Sequence, residues 1–198
     1  MYTPAFEAEV QRWAETLIPA ARLAHVRGVV QTADNLAARY APEERPRARL
    51  AGWMHDAAKH WDDNTLLDYA ESHDLPITPG DRAVPMLLHG VVGYALAAAR
   101  FGLDDAALMN ACTNHTTGAP DMPPVAQIVL LADLIEPGRS FAGVEAVRAA
   151  AQRSLPEGVF CAVRHTLRHL LERQRYVDPR GVLLYNQLLQ AGLHCPEK

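Results

Sequence analysis

A chain of 198 residues with 49% apolar and 21% charged side chains can bury one sizeable core, which excludes a disordered segment and a disulfide-stapled miniprotein. A formal net charge of −4 with a pI near 6.1 argues against nucleic acid as the main partner, while leaving room for a local basic pocket that holds phosphate. No apolar run approaches the ~20 residues of a membrane span, so no membrane partner is expected.

Met1 to Glu7 lacks the basic start of a signal peptide. Cys112, Cys161 and Cys195 show no CxxC spacing, which reads as a reducing cytoplasm with Cys112 and Cys161 as small core residues. Thr3 and Pro4 then open a predicted helix to about Leu17, with Phe6, Val10, Trp13 and Leu17 on one face. Pro19 breaks it, and a second helix carries Leu23, Val26, Val29, Val30, Ala33 and Leu36 near period 3.6, with His25 among them. Pro42 to Pro46 reads as a polar turn. The next helix is expected from Arg47 to Lys59, carrying His55 and Asp56 within an apolar stretch.

Asn64 to His73 is a short amphipathic helix capped by Asp62 or Asp63, and the Pro-rich stretch 76–85 is the clearest loop. Met86 to Phe101 is helical with His89 near its start, and Gly102 closes it. Asp104 and Asp105 open a helix that reaches Asn114, next to His115. A turn from Gly118 to Pro124 leads to Val125–Ile135, which delivers Asp133. Three more helices are expected near Gly143–Ser154, Glu157–Gln174 and Pro179–Ala191. No strand pattern, repeat or linker competes with these, so the chain reads as one all-α domain over 1–198, a helical bundle.

His60, His73, His165, His169 and His194 read as ordinary surface or helix-face residues. His25, His55, Asp56, His89, His115 and Asp133 fall in largely apolar or turning surroundings on successive elements, where an unpaired carboxylate is costly. Inward-facing side chains of a bundle can build a dinuclear centre from such a set. Four neutral imidazoles and two carboxylates would bring −2 to two divalent ions, leaving net positive charge for a phosphate oxyanion. By spacing alone, six residues satisfied separately in the core remain an equal reading.

Five segments resemble the HD-domain phosphohydrolases: Arg22-Leu23-Ala24-His25, His55-Asp56-Ala57-Ala58-Lys59, Leu88-His89-Gly90, Asn114-His115-Thr116-Thr117-Gly118, and Ala132-Asp133-Leu134-Ile135-Glu136-Pro137-Gly138-Arg139. The last two are the most discriminating. They are most similar to the bacterial symmetrical bis(5′-nucleosyl)-tetraphosphatase branch, the YqeK type, over roughly residues 22–186. The resemblance implies bound iron, or manganese or another divalent metal, and central cleavage of diadenosine tetraphosphate to two ADP by a metal-bound hydroxide. It implies that His25, His55, Asp56 and Asp133 hold the first metal. Asp56 would bridge to a second, with His89 and His115 as its ligands or as phosphate contacts.

The same resemblance implies that Arg22, Lys59, Thr116 and Arg139 surround the polyphosphate, and it brings Tyr176 and Arg180 forward as nucleotide contacts. Lys59 follows Asp56 by three residues and can offer a point charge, which makes Asp56 and Lys59 the expected catalytic pair. Arg27 and Leu134 depart from the family pattern without touching a ligand. Two other HD activities, a nucleotidase and a guanosine tetraphosphate hydrolase, would use the same ligands. A non-catalytic nucleotide-binding regulator and a metal-free helical interaction module are alternatives of a different class. Dimerisation is left open by the sequence.

Overall fold

The computed structural model describes residues 2–195, and among them only helices and connecting turns. Thr3 accepts a hydrogen bond from the Phe6 amide (3.2 Å) and so opens α1 (Pro4–Leu17); Pro19 precedes α2 (Ala20–Tyr40). The segment expected as a polar turn is a short 3₁₀ turn, Pro42–Glu44, running directly into α3 (Arg45–Met54).

That helix ends at Met54, not at Lys59. Beyond it the chain winds through tight turns, with Ala57 N–H donating to Met54 O, Lys59 N–H to Asp56 O and Trp61 N–H to Ala58 O. The correction matters chemically. Neighbours in a regular α-helix point about 100° apart, so adjacent His55 and Asp56 address one point more readily where the helix has unwound.

Asp62 caps α4 (Asp63–Ser72) by accepting from the Thr65 amide at 3.0 Å. The expected loop at 76–85 holds a small helix, α5 (Pro79–Ala83), fixed by a reciprocal cap between Thr78 and Asp81. A 3₁₀ turn, Pro85–Leu88, delays the start of α6 (His89–Phe101) to His89 itself. Asp105 caps α7 (Ala106–Asn114), and α8 spans Pro124–Ile135. α9 (Val144–Arg153) is followed by α10 (Leu155–Glu172), which starts earlier than expected because Ser154 caps it. α11 (Pro179–Gln190) is capped by Asp178.

Helix α8 is apolar nearly all round, and Val125, Ile128, Val129 and Leu131 are buried. A helix of that kind belongs inside, and α2, α7 and α10 pack against it. α3 packs against α1, α2 and α7. The carboxyl end of α8 then offers Asp133 to the ends of α3 and α7 and the start of α6.

Cys161 pairs with Cys195 in a disulfide, Cα–Cα 5.5 Å, which corrects the reading of Cys161 as an unpaired core thiol. A separation of 34 residues hides the pairing in the sequence; the α10–α11 hairpin brings the two together. Cys112 is buried and unbonded, as expected. No helix among the described residues is long and apolar enough to cross a membrane.

Candidate metal centre

Six expected side chains converge. His55 is the C-cap of α3 and His115 the C-cap of α7, while His89 is the first residue of α6. At each of these positions the ring Nδ1 reaches a main-chain carbonyl three residues earlier: Gly52 O at 2.7 Å, Cys112 O at 2.7 Å and Met86 O at 2.5 Å. The Gly52 and Cys112 carbonyls lie in last helical turns, which leave them without intrahelical partners, while that of Met86 also accepts the His89 amide. Nδ1 therefore carries a proton in all three rings, and each Nε2 turns to the centre, where the neutral ring offers its lone pair.

Those lone pairs face the carboxylates and one another. His55 Nε2 lies 3.2 Å from Asp56 Oδ2, and His25 Nε2 lies 3.0 Å from Asp133 Oδ1 and 3.7 Å from Asp56 Oδ2. Among the described residues, the only buried side-chain N or O atoms with no hydrogen-bond partner are these two Nε2 atoms and Thr117 Oγ1, so the contacts to the carboxylates are close but misdirected. His89 Nε2 and His115 Nε2 stand 3.0 Å apart, two acceptors in contact. Such an arrangement is unfavourable without a cation between or beside them. Two sets, His25–His55–Asp133 and His55–Asp56–His115, each place one ligand atom per residue within 4.8 Å of the others. This donor set fits divalent metal.

Charge agrees with that fit. Burial alone would raise Asp56, but His55, His89 and His115 around it hold its carboxyl far below the usual range. Asp133 is depressed in the same way against burial, by His25, His55, His115 and Arg139. Burial, reinforced by His89 and His55, pulls His115 down to about 3, and burial also lowers His89. For His55, the neighbouring Asp56 outweighs burial and the shift is upward.

The basic residues divide. Burial lowers Lys59, with Asp56 opposing; its Nζ lies 3.4 Å from His89 Nε2. Arg22 binds Asp56 Oδ2 at 2.5 Å, and Arg139 binds Asp133 through Oδ1 at 2.7 Å and the main-chain oxygen at 2.8 Å. Thr116 donates its hydroxyl to His115 Nε2 at 3.0 Å.

A cavity of about 400 Å³ adjoins the cluster, sharing His115, Thr116 and Asp133 with it. Its other walls are largely apolar, among them Leu87, Leu130, Leu134, Val163 and Leu167, with Tyr176 also on the lining. Arg180 does not line it. Its guanidinium holds Asp178 Oδ1 at 2.9 Å and Asp81 Oδ1 at 2.7 Å, two carboxylates only 6% and 4% exposed, and so forms an internal clamp.

Arg27 pairs on the surface with Glu15 at 2.8 Å and lies outside the site, whereas Leu134 forms part of the cavity wall. His60, His73, His169 and His194 are exposed, and His165 stacks on Phe141. One buried group beside the cluster was given no role in the sequence reading. Glu136, 3% exposed, places Oε1 3.1 Å from His25 Nδ1. The signal for it was its place in the discriminating segment 132–139, three residues after Asp133.

An HD-domain profile matches residues 22–138. The chain is 36% identical over 171 residues to a symmetrical bis(5′-nucleosyl)-tetraphosphatase of Halalkalibacterium halodurans, covering 85% of this chain and 89% of that one. It is 31% identical to the Bacillus subtilis protein of the same name, covering 86% and 91%. A crystal structure from Clostridium acetobutylicum, described as a predicted HD superfamily hydrolase involved in NAD metabolism, superposes with a TM-score of 0.86 at 29% identity, covering 93% and 97%.

Proposed function

The chain belongs to the HD-domain family, in its symmetrical bis(5′-nucleosyl)-tetraphosphatase branch, and from that premise we propose that it hydrolyses diadenosine tetraphosphate at the centre to give two ADP. The observation carrying this reading is likeness along almost the full length of named tetraphosphatases, together with an HD-domain match over residues 22–138, which hold every residue of the centre. We take residues 1–198 as one working HD domain: α1 packs on α3, and α10 on α8, so the helices outside the matched segment share its core.

In this proposal His25, His55, Asp56 and Asp133 would hold the first ion, and Asp56, His89 and His115 would hold a second. We assign iron, with manganese or another divalent metal able to replace it. When bound, such ions supply Lewis-acid charge to phosphoryl oxygens and make a water nucleophilic near neutral pH. Around them the chain positions substrate. The oxygen of water joins one inner phosphorus as its proton passes to solvent, the bridging P–O bond breaks, and its electron pair leaves with the second ADP.

Lys59 meets the charge that develops on that leaving diphosphate. Arg22 and Arg139 keep Asp56 and Asp133 in place and retain further N–H donors for phosphate oxygens. Thr116 offers a hydroxyl beside them. The apolar cavity takes one nucleoside, with Tyr176, 43% exposed, available to stack on a base. No separate protein acid is required, because a diphosphate leaving group met by cations needs little protonation.

The partner is the dinucleotide; neither nucleic acid nor membrane enters the proposal, and a homodimer is compatible with it. We place the protein in the cytoplasm. Incubation with diadenosine tetraphosphate and a divalent metal is expected to release ADP as the sole nucleotide product. AMP with ATP would overturn central cleavage, and turnover confined to mononucleotides would favour a nucleotidase. Lys59→Met is expected to lower kcat/KM by about 10²-fold while retaining metal, because one preorganised charge at the leaving oxygens is gone. Metal content and rate measured on the same preparation separate those effects.

A further inference from the structure

Three histidines of the centre fix Nδ1 on main-chain carbonyls at helix ends. His25 has no such carbonyl. It lies inside α2, and its Nδ1 turns instead to Glu136, a side chain from the turn that follows α8. Glu136 is itself held. Its Oε2 accepts the Gly138 amide at 2.5 Å, and Arg148 ties down the turn by donating to the main-chain oxygens of Ile135 (3.0 Å), Glu136 (2.8 Å) and Arg139 (3.1 Å). Gly28, one turn after His25 on the same face, leaves the carboxylate its room: a Cβ there would stand 2.6 Å from Glu136 Oε2.

We propose that Glu136 is the positioning residue for His25: its carboxylate accepts the Nδ1 proton, fixes the ring tautomer and orientation, and leaves Nε2 as the donor atom toward metal. The inference rests on the reading of His25 as a ligand. Two carboxylates compete for the one ring proton, since Asp133 Oδ1 lies 3.0 Å from Nε2 while Glu136 Oε1 lies 3.1 Å from Nδ1. A proton captured by Asp133 would occupy the lone pair that a metal needs. Glu136 prevents this by offering the better-directed acceptor: its contact satisfies hydrogen-bond geometry, and that of Asp133 does not. Carboxylates backing a ligand histidine typically alter metal affinity by 10–100-fold.

The test compares wild type, Glu136→Ala, Glu136→Gln and His25→Ala by ¹⁵N NMR of the metal-free imidazoles and by Mn²⁺ titration. In wild type the His25 proton is expected on Nδ1. In Glu136→Ala it moves to Nε2, and Mn²⁺ affinity falls about 10–100-fold. Glu136→Gln, whose amide oxygen still accepts, falls between the two. A purely structural role would lower the melting temperature of the metal-free protein and leave the tautomer and the Mn²⁺ affinity of the folded fraction unchanged; that result overturns the inference. Wild type and His25→Ala binding Mn²⁺ equally would instead remove His25 from the metal centre, while the tautomer comparison still decides whether Glu136 sets the ring.

Discussion

An Asp56→Ala variant is expected to lose turnover by more than about 10³-fold and to purify without its full metal complement. Asp56 is the residue on which the centre closes. One oxygen lies 3.2 Å from His55 Nε2 and 3.7 Å from His25 Nε2; the other lies 3.4 Å from His89 Nε2 and 3.9 Å from His115 Nε2. Among the described residues, no other carboxylate is found within 4.0 Å of all four rings. The carboxylate also anchors Arg22, so its removal leaves that guanidinium without its counter-charge and takes from the centre the group its four rings share. Asp56→Asn keeps the shape and removes the charge, and should fail equally. Circular dichroism establishes that both variants fold; elemental analysis and the rate of ADP release complete the measurement. A folded Asp56→Ala protein that retains metal and hydrolyses within tenfold of wild type would sink the assignment.

The chemistry-bearing residues were legible because their types contradict their surroundings. A histidine in the apolar stripe of α2 and a carboxylate at the end of an otherwise apolar α8 demand partners, and the structure brings them together. The helices were legible for the ordinary reason that caps and apolar periods agree, as at Thr3, Asp62 and Asp105. Where α3 ends was not. Nothing in Trp53-Met54-His55-Asp56-Ala57-Ala58-Lys59 forbids a helix; the tight turns there are set by tertiary contacts, including Gly93, whose missing side chain admits the Met54 carbonyl. Glu136 escaped notice because a carboxylate just past a helix end ordinarily faces water. Its partner lies 111 residues earlier, a relation that no local pattern encodes. The commitment of Arg180 depended equally on Asp81, 99 residues away.

That distant pairing carries the largest expected effect on stability. Arg180→Ala should lower folding stability by about 3–5 kcal/mol, because removing one partner of a buried ion pair strands the others. Here it strands two, Asp81 and Asp178, both nearly inaccessible to water. A fall in Tm of roughly 10 °C corresponds to that loss in a chain of this length. Burial alone would raise the Asp178 carboxyl, but Arg180 and its amide outweigh it and the net shift is downward. A carboxylate depressed in the folded state contributes stability above its unfolded pKa and loses that contribution as pH falls through the folded value. The gap between wild type and Arg180→Ala should therefore be full near neutrality and narrow as the solution is acidified below about pH 4. Adding Asp81→Asn to Arg180→Ala removes one stranded charge and should restore part of the loss. The clamp also bears on substrate. It ties the segment of α5, followed by Val84 and Leu87, to the start of α11, near Tyr176 and Gly181, and all four of those residues line the cavity. Gly80 allows the approach, since a side chain there would collide with the Asp178 carboxylate. Loosening it should raise KM for the dinucleotide more than it lowers kcat, for the metal ligands lie elsewhere. Thermal melts of the two variants at neutral and acid pH, read beside KM, test both claims. A Tm unchanged to within about 1 °C would mean that the two carboxylates find water or other donors once the guanidinium is gone.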